Sequence, residues 1–125
     1  MPEASIVASI SPTENPEKVR EAIDNLFPGS DFEISQHSVR ARARSLDKFS
    51  EMMEKQKIQD TARSILLDSI SGSRMQFWLG KQAAFMGRVN FTDGCSVLGD
   101  LEISIEGEDP ESIVHLLTAN EGGLD

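Results

Sequence analysis

The sequence predicts an α+β fold, a two-layer sandwich in which helices pack on one largely antiparallel sheet. Three features carry that prediction. Several short segments alternate apolar and polar residues with the period of a half-buried strand. Others place apolar residues at i, i+3, i+4 and i+7, the stripe of an amphipathic helix. One pair of strand-like segments is joined by a turn short enough for a hairpin. In chain order the elements read β-α-β-β-α-α-β-β-α.

Residues 3–10 form the first strand, with Ala4, Ile6, Ala8 and Ile10 inward and Glu3, Ser5 and Ser9 outward. After the turn Ser11–Glu14, Asn15 caps a helix that starts at Pro16, where the missing N–H costs nothing. Glu17 faces the positive end of the helix dipole. Val19, Ala22, Ile23, Leu26 and Phe27 form its apolar stripe, and Pro28-Gly29 stops it. A hairpin follows: Phe32 and Ile34 alternate with acids, Gln36-His37-Ser38 turns, and Val39, Ala41 and Ala43 alternate with Arg40, Arg42 and Arg44.

Ser45 is the next expected N-cap. Leu46, Phe49, Met52 and Met53 form one stripe, and Ile58, Ala62, Ile65, Leu66 and Ile70 form a second, out of phase with it near Lys55–Lys57. That predicts a long broken helix or two helices, closed by a left-handed glycine in Ser71-Gly72-Ser73. Residues 74–79 read as a strand, and residues 81–91 fit no single pattern. The loop Thr92–Gly99 leads to a strand with Leu101, Ile103 and Ile105 inward. Asp109-Pro110-Glu111 then starts a helix bearing Ile113, Val114, Leu116 and Leu117. The shared core is expected to join Ala4, Ile6, Val19, Ile23, Leu26, Phe49, Ile65, Leu66, Phe77, Leu101, Ile103 and Leu117. The segments Ser9–Phe27 and Ser104–Leu117 share one plan of strand, acidic turn and Asx-Pro-Glu helix start.

With 125 residues, 38% apolar and 26% charged, the chain fits a single domain over 1–118, with residues 119–125 as a flexible tail. The longest apolar run, Ala83–Met86, is far too short to span a bilayer. The first residues carry no signal-peptide pattern, so a soluble cytoplasmic protein is expected. A single cysteine, Cys95, excludes an internal disulfide and a multi-cysteine zinc site. The net charge of −9 is unevenly spread. Residues 40–88 hold ten of the twelve Lys and Arg but only five acids, a local balance of +5, against −14 elsewhere. Within a Debye length of ~8–10 Å, local potential outweighs total charge, so this pattern admits a phosphate-rich partner.

No catalytic constellation is visible. His37 falls in a turn, His115 on a helix flank, and Cys95 has no cationic neighbour in sequence to activate it. Glu106, Glu108, Asp109 and Glu111 match no calcium loop, and no nucleotide-binding fingerprint occurs, so no cofactor or metal is expected. Arg40, Arg42 and Arg44 are different. At period two on a strand, their guanidinium groups emerge on one face at ~6–7 Å intervals, close to the spacing of successive phosphates. The alternative is that they pair with acids on neighbouring elements. In Leu79–Phe91, residues Ala83, Ala84, Phe85, Met86, Val89 and Phe91 read as buried, punctuated by Lys81, Gln82, Arg88 and Asn90. The two amides suit reading a ligand or satisfying backbone at a bend. Trp78 is the obvious candidate for base stacking.

Several separated motifs resemble a small uncharacterised archaeal protein family. They are Ser11-Pro12-Thr13-Glu14 with Pro16-Glu17-Lys18-Val19-Arg20 and Leu26-Phe27-Pro28, then Arg44-Ser45-Leu46-Asp47-Lys48-Phe49, Gln56-Lys57-Ile58 with Asp60 to Arg63, Lys81 to Phe91, and Asp109-Pro110-Glu111. The resemblance covers residues 5–117. It implies a fold like that of the 5S-rRNA-binding large-subunit ribosomal protein and kinship with a predicted RNA-binding, exosome-associated family. It carries over no catalytic residue. Gly80 replaces an Asn usual in that family, and Asp100 stands where Pro is common, which adds acid near the proposed surface. The resulting expectation is a non-enzymatic protein that binds RNA, or an RNA-processing or ribosomal partner, through a basic strand face. The expected contacts are Arg40, Arg42, Arg44, Lys81, Gln82, Arg88 and Asn90. The alternative is a dimeric protein-interaction module without nucleic-acid contact.

Overall fold

The computed structural model describes residues 3–95 and 99–119. Residues 120–125 of the expected tail 119–125 and the loop residues 96–98 lie outside them. The chain runs β1 (Glu3–Ser9), α1 (Pro16–Leu26), β2 (Asp31–Ile34), β3 (Ser38–Ala43), α2 (Asp47–Lys55), α3 (Gln59–Asp68), β4 (Ile70–Ser71), β5 (Arg74–Leu79), α4 (Lys81–Phe85), β6 (Phe91–Thr92), β7 (Leu101–Glu106) and α5 (Pro110–Leu117). The strands form one sheet in the order β2-β3-β1-β7-β5-β4, with β6 also pairing β5, and every pairing is antiparallel. This is the predicted α+β sandwich with three short elements added, β4, α4 and β6.

Alternation in the central strands sets the two faces of the sheet. Ala4, Ile6 and Ala8 of β1 and Leu101, Ile103 and Ile105 of β7 are fully buried. The register places Ile6 opposite Ile103 and Ala4 opposite Ile105, so the apolar sides of both strands face the helical layer. An aromatic cluster locks the two layers together. Phe49 of α2 lies 5.3 Å from Phe27 and 6.0 Å from Phe77 of β5, centroid to centroid, and Phe91 closes the group at 5.8 Å from Phe77. Offset and tilted ring pairs at these separations add to the burial energy of each side chain.

The helix starts follow the local chemistry. Asn15 accepts the Glu17 N–H at 2.9 Å, and Asp109 accepts the N–H and hydroxyl of Ser112 at 3.3 and 2.7 Å. The two strand–helix units that share the Asx-Pro-Glu start have their strands, β1 and β7, side by side at the centre of the sheet.

Five expectations need correction. Ser45 is not the α2 N-cap. Leu46 holds that place without a side-chain bond, and the Ser45 hydroxyl takes the Asp47 N–H at 3.3 Å. Gly72 is left-handed, at φ +64°, but it turns the β4–β5 hairpin, because α3 ends at Asp68 and Ile70 is already paired with Met75. Ile65 is half-buried rather than core, and Leu116 is 75% exposed because it points away from the face that buries Val114 and Leu117. Phe85 and Met86, expected inside, are 41% and 76% exposed, since α4 lasts only five residues and buries one of its positions, Ala84. The predicted break near Lys55–Lys57 is present. Lys57 is the one non-glycine residue with positive φ (59°) among the described residues, and it separates α2 from α3.

Candidate nucleic-acid interface

The helices cover one face of the sheet and leave the other open. On the open face, Arg40 and Arg42 of β3 stand exposed, as the alternation predicts, and Arg44, also exposed, follows in the bend just past the strand. Their surroundings are mixed. Register sets Arg42 between Ser5 and Asp31, and Arg40 between Val7 and Glu33. Arg44 bonds Asp31 at 2.7 Å, and Arg42 approaches Glu3 at 3.9 Å. Arg40 forms no ion pair among the described residues. Both pairs are exposed, with arginine side chains 67% and 72% accessible, and such pairs contribute about 0–1 kcal/mol. A phosphate can replace either carboxylate at little cost. Two strands over, Glu102 and Glu106 of β7 form a further acidic row, with Glu102 held by the Gln76 amide. The arginine row is thus bounded by acids on both sides, with the uncharged Ser5 and Val7 beside it. A depression of about 420 Å³, lined by residues of β1, β2 and β3, has Arg40 and Arg42 among its walls.

The remaining expected contacts do not join this row. Lys81, at the start of α4, is 11% exposed and bonds both Glu14 oxygens at 3.1 Å and the Ser9 carbonyl. It serves as an interior strut between α4 and the β1–α1 turn. Gln82 and Asn90 are exposed on a separate cleft between α1 and α4. Arg88 is exposed in the turn after α4. That turn is clamped by Gln56, whose amide receives the Val89 N–H at 2.7 Å and donates to the Val89 carbonyl at 2.9 Å. Asn25 likewise donates to the carbonyls of Ala84 and Phe85 at 3.1 and 3.0 Å, closing the C-terminus of α4. Sequence reasoning missed both clamps. Nothing in local periodicity marks Gln56 or Asn25, and the hints for Gln56 were the helix break beside it and its place in the family motif Gln56-Lys57-Ile58.

Glu14 has a displaced titration. Burial is the largest single influence and opposes ionisation. The Ser11 N–H at 2.9 Å together with the hydrogen bond and charge of Lys81 outweighs it and holds the carboxyl below its ordinary range. A depressed folded pKa stabilises above the unfolded carboxylate value of ~4.3, and that stabilisation is lost as pH falls through the folded value. Glu14→Gln should therefore cost about 1–2 kcal/mol at neutral pH and flatten the acid side of the stability curve. Melting temperatures from neutral pH down through the carboxylate range check this. Parallel curves for the two proteins would refute it.

Trp78 is less available than its sequence suggested. It lies on the open face but is half-buried, because Gly94 sits against the indole. Gly94 has φ +80°, and a Cβ there would fall 2.8 Å from the ring. Gly94→Ala should cost ~1–3 kcal/mol through strain and overpacking, with a change in Trp78 fluorescence. Unchanged stability and emission would show that the loop does not hold the ring.

The residues considered for catalysis stay apart. His37, His115 and Cys95 are exposed, and the Cys95 thiol contacts the Asp93 carbonyl at 3.8 Å. No group of three or more His, Cys, Asp or Glu gathers into a metal site among the described residues, and no described helix is long and apolar enough to cross a membrane.

A family model described as RNA binding matches residues 3–107. A UPF0201 protein of Methanothermobacter thermautotrophicus is 37% identical over 120 residues, 94% of this chain and 91% of its own length. The chain belongs to the UPF0201 family. A UPF0200/UPF0201 protein of Archaeoglobus fulgidus is 43% identical over 103 residues, 82% of this chain, and the match spans only 32% of that longer protein. The crystal structure of the UPF0201 protein from Methanococcus jannaschii superposes with a TM-score of 0.85 at 31% identity, covering 93% of this chain and 98% of that one. A DUF54 protein of Archaeoglobus fulgidus shares the fold of this chain, at a TM-score of 0.72 and 21% identity, covering 94% of this chain and 97% of that one. The small archaeal family expected from the sequence motifs is therefore the right one.

Proposed function

We propose that this protein binds RNA without turning it over, through phosphate contacts along the arginine row of β3. The observation that carries this reading is the pair Arg40 and Arg42, exposed on an open sheet face, with the exposed Arg44 two residues further on in the bend after β3. The match to a family model described as RNA binding supports it. Guanidinium groups suit phosphate because their planar donors engage two oxygens at once. The flanking acids confine the bound backbone to a path along β3 and repel one laid across it. With Trp78 partly covered, recognition along this row depends on backbone and shape, so sequence preference there is weak.

Binding of single-stranded and structured RNA should saturate and weaken steeply as salt rises from about 50 to about 200 mM, because each phosphate contact releases counterions. Absence of saturable binding at the low end would overturn the reading. The non-enzymatic part is tested on nuclease, phosphatase and NTPase substrates, with and without Mg²⁺. Turnover abolished by a single side-chain substitution would defeat it.

A further inference from the structure

A second surface asks for a ligand. Between α1, α4 and the residues Thr92, Asp93, Cys95, Gly99 and Asp100 lies a cleft of about 820 Å³, well inside the range of roughly 300–1,000 Å³ typical of small-ligand sites. Val19 and Ala22 of α1 and Ala83 of α4 give it apolar walls. Phe85 stands at its rim, 41% exposed, with the Lys18 ammonium 5.5 Å from the ring centroid. Gln82 and Asn90 also line it, and neither amide bonds another described residue. An exposed aromatic ring beside a cation, with unengaged amides lining the same partly apolar cleft, is the set of groups that stacks a planar ring and reads its edge.

The charge in the cleft narrows the ligand class. Two lysines, Lys18 and Lys81, face three carboxylates, Glu14, Asp93 and Asp100. Lys81 is bonded to Glu14, and Asp100 takes the Thr92 hydroxyl at 2.8 Å. Such a space does not favour a bare phosphate. It accepts an uncharged ring that offers both donors and acceptors, with Lys18 at the mouth for the attached phosphate.

We infer that this cleft receives one unpaired RNA nucleotide, base inward and stacked on Phe85, with Gln82 and Asn90 on its hydrogen-bonding edge. The inference rests on the RNA-binding reading and adds to it a preference for RNA that presents a bulged or looped-out base. It also gives a use to the exposed Phe85 and to the two amides of the 81–91 segment, which the arginine row leaves unexplained.

The test compares a fully paired RNA hairpin with the same hairpin carrying one bulged nucleotide, using full-length wild type, Phe85→Ala and Asn90→Ala. Both substitutions are at exposed positions and leave the core intact. Wild type should bind the bulged RNA about tenfold more tightly, and each variant should lose most of that preference while keeping its affinity for the paired hairpin. Equal binding of the two RNAs by wild type, or an unchanged preference in the variants, would overturn the cleft assignment and leave the arginine row standing. If wild type binds neither RNA, the RNA reading itself fails. Titration of free AMP and GMP, followed by NMR shifts of Phe85 and Asn90, then decides the cleft. Localised shifts would retain it as a nucleotide site, and none would overturn it.

Discussion

Leu66→Ala is expected to lower the unfolding free energy by ~2–5 kcal/mol, the cost of the lost burial plus that of the cavity left behind. Leu66 is fully buried on α3, on the same face as the fully buried Ala62, where α3 meets β5 and α5. The layers on either side are held by other contacts, so the vacated space cannot simply close. Its neighbour Ile65 is only half-buried and should lose clearly less on the same truncation. Denaturant titration of both variants measures the difference. A loss below about 0.5 kcal/mol for Leu66→Ala would place that side chain outside the core, since surface substitutions rarely cost more.

Replacing Arg40, Arg42 and Arg44 together with Gln should weaken RNA binding on the order of a hundredfold at about 0.1 M salt. It should also reduce the salt slope by about 2, from ~0.7 per contact on a single strand. The variant should remain folded, because only exposed ion pairs, to Glu3 and Asp31, are lost. Removing three cations from a face that also carries Glu33, Glu102 and Glu106 leaves that face acidic, which deepens the effect at low salt. The measurement is affinity across a salt series for both proteins, with melting temperature as the control for folding. Equal affinity and equal slope would make the arginine row an ordinary ion-paired sheet face, and a protein partner would become the better account of the open surface.

Much of the architecture was legible because the signals are local. The alternation of Ala4, Ile6 and Ala8 and the stripe from Val19 to Phe27 depend only on strand and helix geometry, and both settle which residues are buried. Asn15-Pro16-Glu17 and Asp109-Pro110-Glu111 start helices through bonds that span at most three residues. The same logic explains the failures. Ser71-Gly72-Ser73 suits a helix end or a hairpin equally well by its own chemistry, and the pairing of Ile70 with Met75 decided for the hairpin. Phe85 and Met86 read as core from composition, but burial depends on what lies opposite, and α4 is too short to bury them.

The placement of Arg40 and Arg42 on one face was also determined by the sequence alone, since a strand of that pattern has nowhere else to place them, while Arg44 follows in the bend just past the strand. What those arginines meet was decided by the tertiary structure. Register brought Asp31 beside them from the hairpin partner β2, and Glu3 from β1, a neighbour in the sheet that is distant in the chain. The cleft is likewise a product of long-range contacts. Lys81 reaches Glu14 across 67 residues, Asn25 holds the end of α4, and Gln56 fixes Val89 across 33. Periodicity and capping act within a few residues of backbone and can be read along one chain segment. The placement of charge against charge, and of ring against open space, depends on how separate segments pack, and only the folded molecule contains that information.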